Sequence, residues 1–147
     1  MLDAKNILVP TDFSNYADKA LDLAVDIAKH NNAKIHLLHV IDSVQQCAAD
    51  YCLPDEVVRS IKDKSISQTK TNFRKEAGKF TKNGVQIIQD IKEGVPYEEI
   101  LREQKDKKAD LIVMSAHGRS GLKKFLIGSV TDKVVKAAPC NVVVVKS

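Results

Sequence analysis

"ADLIVMSAHGRSGLKKFLIGSVTDKVVKAAPCNVVVVKS", residues 109–147, decides how this chain is organised. "ADLIVMSA" is a short apolar run, as a buried strand requires, and "GSVTDKVVKAA" reads as a helix. "CNVVVVKS", set off by Pro139, reads as a last strand. Between the first two lies a segment with Gly118 and Gly121, and Gly128 opens the second; glycine serves where backbone approaches a ligand closely or takes positive φ. The stretch either cradles a phosphate or is a tightly turned crossover.

The pattern of strand, helix, strand continues back to the start. "KNILVPTD" carries an apolar run from Ile7 to Val9 that Pro10 closes, which predicts a buried strand. In "DFSNYADKALDLAVDIAKHNN", Ala17, Ala20, Leu21, Ala24, Val25 and Ala28 recur at three and four positions and predict a helix. Ser14 suits its cap, and Asn31 and Asn32 its stop. "AKIHLLHVID" is a second, largely buried strand. After an irregular stretch, a helix begins near "LPDEVV", with Pro54 in its first turn and an imperfect stripe of Val58, Ile61, Ile66, Thr69, Phe73, Ala77 and Phe80. "NGVQIIQDIKEG" carries strand three, and "PYEEILREQKDKK" a short helix with lysines at its negative end. Strands alternating with helices imply right-handed crossovers and a parallel α/β sheet covered on both faces. Ligands bind such sheets beyond the carboxyl ends of the strands, where the order of strands reverses.

Composition narrows the function. A chain of 147 residues, 44% apolar, fits a single domain over residues 1–147. Its 23 basic and 19 acidic residues give only +4, not gathered into a basic arm, and aromatic residues are 5% with no tryptophan. Both features argue against nucleic acid as a partner. No apolar run reaches the roughly 18 residues of a membrane helix, and the first residues lack a signal-peptide core, so a cytoplasmic protein without a membrane partner is expected. Cys47, Cys52 and Cys140 are expected to be ordinary reduced thiols.

Two strand ends carry chemistry. Asp12, just past the first strand, is placed either to hold magnesium beside phosphates or to orient the start of the next helix. "HGRSG" offers glycine amides and the Arg119 guanidinium, and Ser129 with Asp132 has capping-box spacing. That helix start can also serve an anion, so Ser129 is a plain cap or a cap that touches phosphate. There is no GK[ST] after the glycines, hence no P-loop, and no GxGxxG turn after the first strand. His117 has no serine–acid companion that the sequence can place beside it, and His36 and His39 read as packing groups. No catalytic constellation is signalled.

These two ends, in this order, resemble the universal stress protein family of UspA-like domains. "KNILVPTDFSNYADKALDLAVDIA" is similar to the family's opening, and residues 109–147 to its closing third. The resemblance implies an open, doubly wound, Rossmann-like sheet of five parallel strands in the order 3-2-1-4-5. It also implies binding of ATP, with magnesium as a candidate companion and at most slow hydrolysis. Nucleotide-binding members carry glycine, two residues, glycine, nine residues, then glycine and serine or threonine. Here Gly118, Gly128 and Ser129 keep the later positions, while Ser115 stands at the first, where its Cβ and any need for positive φ are expected to weaken binding without abolishing it. By carry-over, adenine lies against Pro10, Thr11 and Val40, with Met114 and Ser115 beside the sugar. Gly118, Arg119, Gly128, Ser129 and Val130 surround the phosphates, with Asp12 at the magnesium. The family further implies a homodimer through antiparallel pairing of the last strand, Val142, Val143, Val144 and Val145. A nucleotide-independent interaction module of the same fold is the alternative. An adenylating enzyme is a weaker one, since "PTDFS" has no glycine-rich phosphate turn.

Overall fold

The computed structural model describes residues 2–42, 53–80, 84–118 and 126–146. Cys47, Cys52 and Arg119 lie outside the described residues. The elements run β1 (Asn6–Pro10), α1 (Asn15–Asn31), β2 (Lys34–Asp42), α2 (Asp55–Phe80), β3 (Ile87–Gly94), α3 (Pro96–Asp106), β4 (Leu111–Ser115), α4 (Ser129–Ala137) and β5 (Asn141–Val145). The strands form one parallel sheet in the order β3-β2-β1-β4-β5, as the resemblance implied.

Strand alternation explains why both faces are covered. Ile7, Val9, Ile35, Leu37, Leu111 and Val113 pack on one face against Ala20, Leu21, Ala24 and Val25 of α1 and Phe73 of α2. Leu8, Leu38, Ile112 and Met114 point the other way, onto Ile100 of α3 and Val134 of α4. Alanines on the inner side of α1 let its backbone lie close to the sheet. Full burial of a Leu or Ile side chain contributes about 1.5–3 kcal/mol, so these two layers dominate the fold's stability. At the opposite end from the glycine segment, the Asp110 carboxylate accepts from the amides of Lys5 (3.0 Å) and Asn6 (3.3 Å) and fixes the start of β4 beside β1.

Local signals act as the residues predict at α1 and α3. Ser14 Oγ accepts from Ala17 N (3.2 Å), and Asn32 closes α1 in the left-handed region at φ 51°. Pro96 occupies the first turn of α3. Three expectations are corrected. Pro54 precedes α2 rather than entering it, and its carbonyl accepts from Val57 and Val58. The apolar stripe of α2 is buried only in its second half, at Thr69 and Phe73, whereas Ile61 and Ile66 are exposed. Ser129 is the first residue of α4 and not its cap. Gly128 holds the cap position and, having no side chain, caps none of the first-turn amides, while its own amide donates to the Ala116 carbonyl at 2.8 Å.

The most deeply buried ionisable group among the described residues belongs to α3, on its side toward β3. Glu103 is 1% exposed and meets Asp90 of β3, with Lys92 Nζ 3.9 Å from Oε2. Burial, then the hydrogen bond to Asp90 and its charge, push the Glu103 carboxyl up to about 7. Burial alone would raise Asp90 as well, but the Glu103 hydrogen bond and Lys107, 3.4 Å away, hold it below its ordinary value. Close by, burial and then Lys107 lower the pKa of His36.

Candidate functional site

The strand order reverses between β2 and β4, the two neighbours of β1, and the carboxyl ends there open into a cleft of about 240 Å³. Ten of the eleven residues singled out from the sequence line it: Pro10, Thr11, Asp12, Val40, Met114, Ser115, Gly118, Gly128, Ser129 and Val130. The eleventh, Arg119, lies outside the described residues.

The β1 end is held rigidly. Thr11 N donates to the Leu38 carbonyl (2.8 Å), which extends the β1–β2 pairing by one residue. Thr11 Oγ1 accepts from Phe13 N (3.0 Å), and the Thr11 carbonyl accepts from His39 Nδ1 (2.8 Å). A carbonyl only accepts, so Nδ1 of His39 carries a proton. Phe13 takes φ 62°, an uncommon conformation for an aromatic residue. Its ring compensates by packing 4.8 Å from the His39 ring and 5.3 Å, edge-on, from Phe73. The turn so formed sets Asp12 at the mouth of the cleft, with Oδ1 accepting from Ser14 N at 2.9 Å. Asp12 therefore does brace the start of α1.

The β4 end meets it closely. A Cβ on Gly118 would lie 3.0 Å from Asp12 Oδ2, so this carboxylate reaches its place only past a residue without a side chain. Ser115 does not take positive φ, and the strain expected there does not arise. Its Oγ donates to the His117 carbonyl (2.7 Å). The Ser115 carbonyl accepts from Thr131 Oγ1 (2.8 Å), and Ala116 N donates to the Val145 carbonyl (2.9 Å). Together with the Gly128–Ala116 bond, these contacts draw the start of α4 against the end of β4. The first-turn amides of α4 have no intrahelical acceptor and no side-chain cap, and they lie where Ser129 and Val130 line the cleft.

The cleft thus has two chemically distinct ends. Pro10, Leu38, Val40, Pro96, Ile100 and Met114 make an apolar slot, while Asp12, Gly118, Gly128 and Ser129 make a polar mouth. An apolar planar group beside an anion fits this division. The sequence reading did not single out Ala17, Leu38, His39, Pro96, Ile100, His117 and Thr131, which also line the cleft. Leu38 was reachable, since strand alternation puts it on the face of Val40. Pro96 and Ile100 depend on where α3 crosses the sheet, which no local pattern encodes. Among the described residues no group of three or more His, Cys, Asp or Glu side chains could hold a metal ion, and no helix is long and apolar enough to cross a membrane.

The Universal stress protein family profile matches residues 4–146. The universal stress protein MJ0531 of Methanocaldococcus jannaschii is 36% identical over 143 residues, covering 97% of this chain and 82% of that protein. The solved structure of MJ0577 from the same organism superposes with a TM-score of 0.88 at 32% identity, covering 99% of this chain and 98% of that one. More distant structures share the fold. A universal stress protein in complex with cAMP has a TM-score of 0.73 at 21% identity, covering 99% and 98% of the two chains. One from Archaeoglobus fulgidus in complex with dAMP has 0.68 at 18%, covering 99% and 100%. With the profile spanning nearly the whole chain, and a relative above one-third identity along it, the chain belongs to the universal stress protein family.

Proposed function

We propose that this protein binds ATP or a related adenine nucleotide in the cleft between the ends of β1 and β4. The observation that carries the reading is the pairing of an apolar slot with a mouth where Gly118 backs onto Asp12 and α4 presents uncapped amides. The base takes the slot, against Pro10, Thr11 and Val40, and the sugar lies by Met114 and Ser115. The phosphates meet Gly118, Gly128, Ser129 and Val130, where the helix dipole and orphan amides favour negative charge. The cAMP and dAMP complexes of other family proteins support an adenine nucleotide as the ligand class.

Magnesium fits the same end. Asp12 supplies a hard carboxylate oxygen beside the phosphate position, the donor that magnesium prefers while keeping most of its waters. Bound there, the ion would neutralise phosphate charge, and Asp12 would be its protein ligand.

The protein is further proposed to be a homodimer. β5 is an outer strand with the half-buried run Val142–Val145, and an open apolar edge recruits a partner. Antiparallel pairing of two such edges across a two-fold axis closes the assembly at two chains.

The test is direct. Protein purified without added nucleotide is denatured and assayed for released adenine nucleotide, and refolded or nucleotide-free protein is titrated with ATP and magnesium. Release of nucleotide or saturable binding is expected. Failure to bind at millimolar ATP rejects the reading and leaves the nucleotide-independent interaction module.

A further inference from the structure

One face of α3 serves two places at once. Pro96, Ile100 and Glu103, with Lys107 at the helix end, follow at helical spacing and share a side. Pro96 and Ile100 line the apolar slot of the cleft. Glu103 and Lys107 instead face β3, 3.9 Å from Lys92 and 3.4 Å from Asp90. The helix rests directly on that strand: a Cβ on Gly94, the last residue of β3, would lie 2.9 Å from Glu99 Cγ.

This contact is short of a donor. Glu103 Oε1 and Asp90 Oδ2 are shielded from solvent without a hydrogen bond, and an ionised carboxylate can only accept. Buried polar atoms are nearly always paired, and one proton held between the two carboxyls supplies what is missing. The surrounding charges do not replace it. Lys92 stands too far from Glu103 Oε2 for a hydrogen bond, and Lys107 meets Asp90 Oδ2 as an ion pair only. From β2, His36 is buried with Nδ1 unpartnered and Nε2 3.5 Å from Asn6 Oδ1 of β1. On α3 itself Glu99 is engaged by Arg102, and Lys133 of α4 stands over Tyr97 in the first turn.

We propose that a proton shared by Asp90 and Glu103 latches α3 to β3, and that its loss slackens the α3 wall of the apolar slot and weakens binding there. The effect on a ligand rests on the nucleotide reading above, whereas the latch itself does not. Burial and Asp90 push the Glu103 carboxyl up to about 7 while Asp90 is held low, so the proton is in place in mild acid and gone in mild alkali. His36, whose pKa burial and Lys107 lower, charges only in more acid solution. Asp90 and Glu103 are thus positioning residues, acting on the slot through Ile100 and Pro96.

The experiment is titration of wild-type, Glu103→Gln and His36→Gln proteins with adenosine, which carries no phosphate whose own titration would mask the effect. Between about pH 6 and about pH 8, wild-type affinity should fall severalfold, up to about tenfold if only the latched helix binds. Glu103→Gln should lose this dependence, since glutamine donates without titrating, and His36→Gln should keep it. Native-state hydrogen exchange of the wild-type protein reads the latch without ligand or variant. Corrected for the intrinsic rate, protection of α3 should drop over the same interval relative to that of α1. Unchanged protection of α3, wild-type affinity that does not move with pH, or the same dependence in Glu103→Gln would overturn the proposal and leave nucleotide binding standing. Protein that binds neither ATP nor adenosine, while α3 protection still falls with pH, would overturn the nucleotide reading and leave the latch.

Discussion

Replacing Glu103 by glutamine should make the protein more stable in mild alkali and remove much of its pH dependence. Glu103 of α3 is 1% exposed, and its carboxyl is pushed from 4.5 up to about 7 by burial and by Asp90. The folded state therefore holds this proton more tightly than the unfolded chain does. Its contribution is fully present below the unfolded value of 4.5 and is lost as pH rises through about 7. At 1.36 kcal/mol per pH unit, that interval corresponds to about 3 kcal/mol in all, of which about 2–3 falls between pH 5 and 8. Glutamine cannot ionise, yet its amide can donate to Asp90 as the protonated carboxyl does. His36, whose lowered pKa acts in the opposite direction, is present in both proteins and cancels in their difference. Urea unfolding followed by circular dichroism at pH 5, 6, 7 and 8 supplies the comparison. The variant should be close to wild type at pH 5 and about 2 kcal/mol or more ahead at pH 8. A difference that does not grow with pH, or a variant weaker than wild type at pH 8, refutes the reasoning.

Asp12→Asn should weaken magnesium-ATP binding far more than adenosine binding. Equal loss for both would reduce Asp12 to its bond with Ser14 N. Gly118→Ala would place a methyl group 3.0 Å from Asp12 Oδ2 and displace that carboxylate, so nucleotide affinity should fall severalfold while the urea midpoint moves little. Ser115→Gly removes the Oγ bond that holds the His117 carbonyl. ATP affinity should fall or hold, and a rise would restore the crowding argument. Val144→Pro should convert dimer to monomer in light scattering at micromolar concentration. The Val145 carbonyl is turned toward Ala116 of β4, so the backbone groups of Val144 point to the open edge, and proline there removes an outward donor while sparing the β4 ladder.

What the residues revealed follows from how local each signal is. Ile7–Val9 and Leu111–Met114 read as strands because continuous apolar runs are what a doubly covered sheet demands. The ends of α1 were legible because Ser14 and Asn32 act on their immediate neighbours. Ser129 misled, since Ser-x-x-Asp spacing is local but the competitor was not: the Ala116 carbonyl takes the Gly128 amide and moves the cap back by one residue. The stripe of α2 left open which of its residues are covered, because periodicity shows which side is apolar and not whether anything lies against it. Asp12 and Ser115–Gly118 were placed together by family resemblance, and strand order alone makes them neighbours. The Asp90–Glu103 pair had no signature, because it exists only once α3 crosses β3 in one register.

The anchoring of the glycine segment to α4 and β5 bears on the order in which the molecule can become competent. Asp12 is synthesised early and Gly118 a hundred or so residues later, so joining them closes a long loop, the kind of contact that folding forms slowly. The turn after β4 is then held by Thr131 and Val145, later still. A chain emerging from the ribosome could lay down β1, α1 and β2 as a local unit. It could not shape the polar mouth until residue 145 had cleared the exit tunnel. On the proposed nucleotide reading, ligand capture would then follow the emergence of β5, and nucleotide present at that moment would draw β4, α4 and β5 together by mass action.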